Sequence, residues 1–236
     1  MIQALLFDYG GTLDTGARHW SYVLHEGFTH AGVNLDKETF REAYVYAERA
    51  LASHPYIVPS DDFLALLRKK VSLEMDRLEQ MGQVGHSTPD VRDEWVEKVA
   101  AYCDRYARDH VRRAASVLRE LHQRYKLVVV SNFYGNLETI LRTYGLSPFF
   151  ESIVESAVVG VRKPNPAIWT LGVEAAGVDA CECAAIGDSF TKDILPAQQA
   201  GCETVWFSGE EWETKDYDRS VPTHVITSLP EITRYY

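Results

Sequence analysis

Five short apolar runs constrain this chain more than any other feature of it: "IQALLFDY", "KLVVVSN", "CAAIGD", "ETVWFS" and "HVIT". They end in polar residues or glycine, and they do not alternate cleanly between apolar and polar positions. A strand with one wet face alternates, whereas a strand covered on both faces is apolar throughout, so most of these runs read as buried strands of a parallel sheet. Helical stretches separate them. Residues 114–125 place Val117, Leu118 and Leu121 on one face, and residues 136–144 stop at Gly145. Residues 166–176 have Asn165 as N-cap, Pro166 at the first helical position and Gly177 as the stop. Strands alternating with helices predict an α/β fold with a doubly wound, mostly parallel sheet.

Between about residues 16 and 109 the pattern is only helical. Trp20, Leu24 and Phe28 are spaced by four and followed by Gly32. Asp36 caps a stretch carrying Phe40, Tyr44, Ala47 and Leu51, which ends before Pro55. Phe63, Leu67 and Val71 begin another, and Thr88-Pro89 opens a last one with Val91, Trp95, Val99, Cys103 and Tyr106 on one face. These aromatic and apolar stripes read as core. The expected division is an α/β core of residues 1–16 and 110–236 with a helical domain, 17–109, inserted after the first strand. Lys37, Lys69, Lys70 and Lys98 sit among charged neighbours and read as surface charge. The acidic stretch "GEEWETKDYDRS", residues 209–220, reads as a solvated connection.

The net charge of -10 argues against general affinity for nucleic acid or anionic membranes. No run resembles a transmembrane span, and the start lacks the basic segment of a signal peptide, its apolar run being broken by Asp8. Cys103, Cys181, Cys183 and Cys202 lack zinc-site spacing and read as free thiols of a reducing compartment, which predicts a cytoplasmic protein.

Four polar signals fall at the C-terminal ends of expected strands or just before a helix, where open α/β sheets bind ligands. They are Asp8, Ser131-Asn132, Lys163 in "VRKPNPAIW", and Asp188 with Asp193 in "IGDSFTKDI". Each alone has a plain structural explanation as a turn, a cap or a solvated charge. Together they meet the demands of phosphoryl transfer: a nucleophile, a cation against the equatorial oxygens, and fixed donors around them. Asp8 would be the nucleophile, and Asp8 with Asp188 would hold Mg²⁺. Lys163 would supply a point charge, and Ser131 and Asn132 hydrogen bonds.

The segments "DYGGTLD", "VVVSN", "RKPNP" and "GDSFTKD" resemble, in order and in sequence, the four motifs of the haloacid dehalogenase (HAD) superfamily of hydrolases. The resemblance implies a Rossmann-like core and a helical cap closing over the site. It implies that Asp8 is the nucleophile and a metal ligand, and that Gly10 offers its backbone carbonyl to Mg²⁺. It further implies that Asp188 is the other metal-binding carboxylate, that Asp193 orients Lys163 or metal-bound water, and that Ser131 and Lys163 hold the phosphate. Asp14 matches a position where members often carry an acid, and equally reads as a cap for the next turn.

One residue departs from the pattern. The family's phosphatases carry an Asp where this chain has Gly10, and that Asp protonates the leaving oxygen and then activates water. Members that are 2-haloacid dehalogenases carry Tyr there and do not keep the fourth-motif Gly-Asp, whereas Asp188 is present here. Phosphonate-cleaving members carry a small residue and use a cap lysine. The expectation is therefore a Mg²⁺-dependent phosphohydrolase of a small phosphorylated metabolite, slow or restricted to good leaving groups, or one whose acid comes from elsewhere. Arg18, His19 and Trp20 enter the helical region near the site and are candidate substrate contacts, with histidine a plausible acid–base substitute. The alternative is a catalytically impaired protein that binds a phosphorylated ligand or a protein partner; dehalogenase or phosphonatase chemistry comes after these.

Overall fold

The computed structural model describes residues 1–85, 88–212 and 215–236. Six parallel strands form one sheet: β1 (Ala4–Phe7), β2 (Lys126–Ser131), β3 (Ser152–Glu155), β4 (Cys183–Gly187), β5 (Glu203–Phe207) and β6 (His224–Ile226), in the order β3-β2-β1-β4-β5-β6. All five apolar runs are strands. β3 was not legible in advance, being a four-residue edge strand that leads straight into a helix.

The inserted region contributes α1 (Trp20–His30), α2 (Lys37–Ser53), α3 (Phe63–Gln80) and α4 (Pro89–Leu121). The core adds α5 (Leu137–Thr143), α6 (Ser156–Val159), α7 (Ala167–Ala176) and α8 (Leu195–Gln199). Asp36 caps α2 through the amides of Glu38 and Thr39. Asn165 Oδ1 accepts from the Ala167 amide at 3.0 Å, and Gly177 ends α7 in the left-handed region, so the polar and glycine punctuation acts as read. The sheet's two faces carry separate apolar layers, one built on Leu5, Phe7, Val129 and Ile186, the other on Ala4, Leu6, Val128, Val130 and Trp169. The four cysteines are free thiols, and no described helix is long and apolar enough to cross a membrane.

Three expectations change. The stretches beginning at Pro89 and at 114 are one helix of 33 residues, α4, and the anticipated division at 109/110 lies inside it. Its buried stripe runs on through Cys103, Ala107, Val111, Ala114 and Leu118, where alanines hide it from a reading that looks for large side chains. Lys70 is not surface charge: it is 5% exposed, with its ammonium paired to Glu48. The segment 209–220 is not merely solvated. Trp212 packs on His19 and Tyr44, Tyr217 stacks on Phe190, and Glu210 pairs with Arg18, although Glu213 and Thr214 lie outside the described residues.

α3 also carries Glu74, fully buried, with neither carboxylate oxygen hydrogen-bonded among the described residues. Burial pushes its pKa from 4.5 up to about 8, against the pull of Lys70. Between those values the folded chain keeps a proton that the unfolded chain has released, so stability falls as pH rises across that window. We expect chemical denaturation to show a loss of about 1.4 kcal/mol per pH unit in the window, and Glu74→Gln to remove it. Equal pH slopes in the two proteins would contradict this assignment.

Candidate active site

β1 lies between β2 and β4, the point at which the strand order reverses, so the C-terminal ends of these three strands open into one crevice. Asp8 follows β1 directly, its amide bonded to the Ile186 carbonyl at 2.9 Å, and is 5% exposed. Asp8 Oδ1 accepts from Lys163 Nζ at 2.5 Å and from Ser131 Oγ at 3.0 Å, while Oδ2 lies 3.3 Å from Thr12 Oγ1.

Lys163 Nζ also donates to Asp193 Oδ1 at 2.6 Å. Burial works to lower the lysine's pKa, but Asp193 and Asp8 outweigh it and hold the ammonium charged. Asn132 acts on the Lys163 backbone: its Oδ1 accepts from the Lys163 amide at 2.8 Å, and its Nδ2 donates to the Lys163 carbonyl at 3.1 Å. The polar residue after β2 thereby fixes the loop that aims the lysine.

Asp188 follows β4. Its amide donates to Thr12 Oγ1 at 3.1 Å, and its Oδ1 lies 3.0 Å from the same hydroxyl. Thr12 thus bridges the two carboxylates of the first and fourth motifs, a role that its place four residues after Asp8 does not by itself declare. Gly11 makes this approach possible. It has φ +96°, and a Cβ there would sit 2.5 Å from the Asp188 carboxylate. A Cβ on Gly187 would meet Asp193 at 2.4 Å. Asp193 stands on a π-helical turn, Phe190–Ile194, a feature that often marks functional positions. Its Oδ2 accepts from the Ser189 amide at 2.9 Å.

Carboxylate oxygens of Asp8, Asp188 and Asp193 all come within 4.8 Å of one another. Burial and the neighbouring Asp193 and Asp8 charges push the Asp188 pKa well up. Asp193 has Lys163 in direct contact to balance it, whereas among the described residues the Asp188 carboxylate accepts only from the Thr12 hydroxyl and feels Lys163 through charge alone. A hard divalent cation is what such an oxygen set lacks, so the residues fit Mg²⁺.

These groups floor a cavity of about 450 Å³. Gly10 lines it, and a Cβ built on Gly10 meets nothing within 4 Å. Asp14 is fully buried, its Oδ1 accepting from the Gly11 amide at 2.6 Å and its Oδ2 from Trp20 Nε1 at 3.0 Å. Burial pushes its pKa up to about 7. Asp14 therefore caps the glycine turn and ties it to α1.

The three hinge residues separate. Trp20 lines the cavity and packs on Phe63. His19 lines it too, but its Nδ1 caps α1 through the Ser21 amide, and burial, then Lys192, pushes its pKa down to about 4. Arg18 does not line it: Glu26 takes its guanidinium in a bidentate pair, and Glu210 takes its Nε. The far walls include Tyr44, which reads as core in the sequence, Lys70, which reads as surface charge, Trp212 of the stretch that reads as a solvated connection, and Glu48, which has no role assigned from sequence.

Comparison with known proteins finds relatives in sequence and in fold. A zebrafish protein named haloacid dehalogenase-like hydrolase domain-containing protein 3 is 36% identical over 104 residues, 44% of this chain and 43% of its own. The glyceraldehyde 3-phosphate phosphatase of Pyrococcus abyssi is 39% identical over 90 residues, 38% of this chain and 37% of its own. The chain thus matches less than half the length of these two relatives. Bacillus subtilis YfnB, crystallised bound to magnesium, superposes with a TM-score of 0.57 at 21% identity over 99% of this chain and 98% of its own, a likeness of fold. A family profile described as haloacid dehalogenase-like hydrolase matches residues 2–201. The chain therefore belongs to the haloacid dehalogenase-like hydrolases.

Proposed function

We propose that the protein is a Mg²⁺-dependent phosphohydrolase of a small phosphorylated metabolite, working through an aspartyl-phosphate at Asp8, with Gly10 in place of the usual acid–base Asp. The observation that carries this reading is the setting of Asp8. One of its oxygens is held by Lys163 and Ser131, and it stands beside Asp188, whose pKa is pushed well up by burial and by the Asp193 and Asp8 charges. An oxygen so anchored is oriented for attack on phosphorus, forming the Asp8–phosphorus bond as the ester bond to the leaving oxygen breaks. Lys163 and Ser131 then offset and fix the charge on the phosphoryl oxygens.

Asp8, Asp188 and the Gly10 carbonyl would hold Mg²⁺, which supplies further charge neutralisation at the transferred group when bound. Asp193 orients Lys163. Residues 17–109 act as the cap and the remainder as the core. His19, neutral at pH 7 with Nδ1 engaged, is a poor acid, so leaving groups that need little protonation are favoured.

Phosphate release from a panel of phosphorylated metabolites with Mg²⁺ tests the reading. Because Gly10 removes the acid, a second reading stands beside it: a silent member that binds a phosphorylated ligand or a protein partner. Thermal stabilisation by a panel member without release would select that one. The metal assignment has its own check. Both Asp193 oxygens are already engaged, so calorimetric titration should find Asp188→Asn weakening Mg²⁺ at least about tenfold more than Asp193→Asn does. Equal affinities would refute it.

A further inference from the structure

The wall of the cavity opposite the strand ends holds a charged pair that phosphoryl transfer does not use. Lys70 of α3 is 5% exposed, its Nζ donates to Glu48 Oε1, and it lies 4.5 Å from the centroid of the Tyr44 ring. Glu48 Oε2 accepts from Tyr134 Oη–H at 2.9 Å. All four side chains line the same cavity as Asp8.

A buried ammonium is rare and requires partners. Lys70 has three N–H donors but a single oxygen acceptor among the described residues. Glu48 takes donors from Lys70, Tyr134 and Tyr44, and a carboxylate with three donors still has room for one more. Glu74, one turn along α3, also faces Lys70 but does not line the cavity. Lys192 reaches Glu48 and His19 from the core side through charge alone.

The pair cancels its own charge. An anionic group placed against it is opposed by Glu48, and a cationic one by Lys70. A hydroxyl accepts from the ammonium and donates to the carboxylate, and two adjacent hydroxyls satisfy both partners together. The Tyr44 and Trp212 rings, with centroids 5.1 Å apart, supply an apolar wall for the carbon skeleton between such hydroxyls.

We propose that Lys70 and Glu48 are specificity-determining residues that read adjacent hydroxyls on the leaving alcohol. The site then takes phosphate monoesters of sugars or of ribose-bearing nucleosides ahead of those of simple or carboxylated alcohols. This rests on reading the Asp8 end of the cavity as the phosphate site.

The test is calorimetry with Mg²⁺ on the Asp8→Asn protein, which lacks the nucleophile; any loss of metal there weakens all the ligands alike, and the comparison among them is the readout. The ligands are ribose 5-phosphate, 2-deoxyribose 5-phosphate, ethyl phosphate, phosphoglycolate and a nucleoside 5′-monophosphate. Ribose 5-phosphate or the nucleotide is expected to bind at least about tenfold tighter than ethyl phosphate and phosphoglycolate, the scale of hydrogen bonds to charged groups. Whichever of the two binds tighter names the source of the hydroxyls. Adding Lys70→Gln or Glu48→Gln should cut the margin below about twofold while leaving ethyl phosphate unchanged. A pair that only holds cap to core would instead weaken every ligand together. Should either variant fail to fold, the preference of the Asp8→Asn protein still decides: equal affinities, or no binding, overturn the proposal, as does a margin that survives both substitutions. Phosphate release by the wild type is scored separately. Its absence beside an intact Lys70-dependent preference removes the hydrolase reading alone. Release from p-nitrophenyl phosphate without that preference removes this inference alone.

Discussion

Gly10→Asp raises turnover of a generic aryl phosphate by about 10²-fold, the low end of what a positioned acid–base group contributes. The backbone is ready for it. Gly10 lines the cavity, lies outside the left-handed region, and would present its Cβ to open space, with no atom within 4 Å. The substitution therefore adds a carboxyl group without displacing a neighbour. Its carbonyl, the atom proposed to face the metal, is unaltered by a change of side chain. The present acids are poor substitutes. Asp14 has both oxygens held by N–H donors, and His19 is neutral with one ring nitrogen spent on a helix cap. The readout is steady-state hydrolysis by both proteins side by side. A folded variant that binds Mg²⁺ and gains nothing would mean that the proton already comes from another source.

Asp8→Asn is expected to reduce turnover by at least about 10⁴-fold, the scale seen when a nucleophile that works as part of a unit is removed. The amide is nearly the same size, and its oxygen still accepts from Lys163 and Ser131, so the loss should be chemical and not structural. Near-wild-type melting, with no covalent phosphate on residue 8 by mass spectrometry of trapped protein, is the expected pair of results. Retained activity in the variant, or a wild type that traps no adduct, would dismiss the covalent route.

The parts of this molecule that were legible in advance are those that local chemistry dictates. A strand buried on both faces has to be apolar, and five of six announced themselves that way; β3, four residues at the sheet edge, carries too little of the signal. The ends of α2 and α7 were marked by Asp36, Asn165 and Gly177 because a helix leaves amides and carbonyls that only such residues satisfy cheaply. Asp8, Ser131, Lys163, Asp188 and Asp193 meet because adjacent strand ends bring them together. The far side of the cavity was illegible for the opposite reason. Lys70, Glu48 and Trp212 come from three separate segments, and each has an ordinary solvated appearance until packing brings it inward. Asn132 shows a smaller version of the same limit: its sequence position placed it correctly at the strand end, and only the fold reveals that its side chain grips the lysine loop.

The uninterrupted α4 has a mechanical meaning. At 33 residues it is a rod about 50 Å long, and it belongs to both halves of the protein at once. Val99 and Cys103 on one stretch are buried in the helical region, while Leu118 and Leu121 further along are buried beneath the sheet and the last turn, Leu229–Arg234. Neither half can lose its fold without fraying a helix that the other half needs. The two halves are therefore expected to unfold together, and a movement of the roof over the cavity to carry or flex the helix they share.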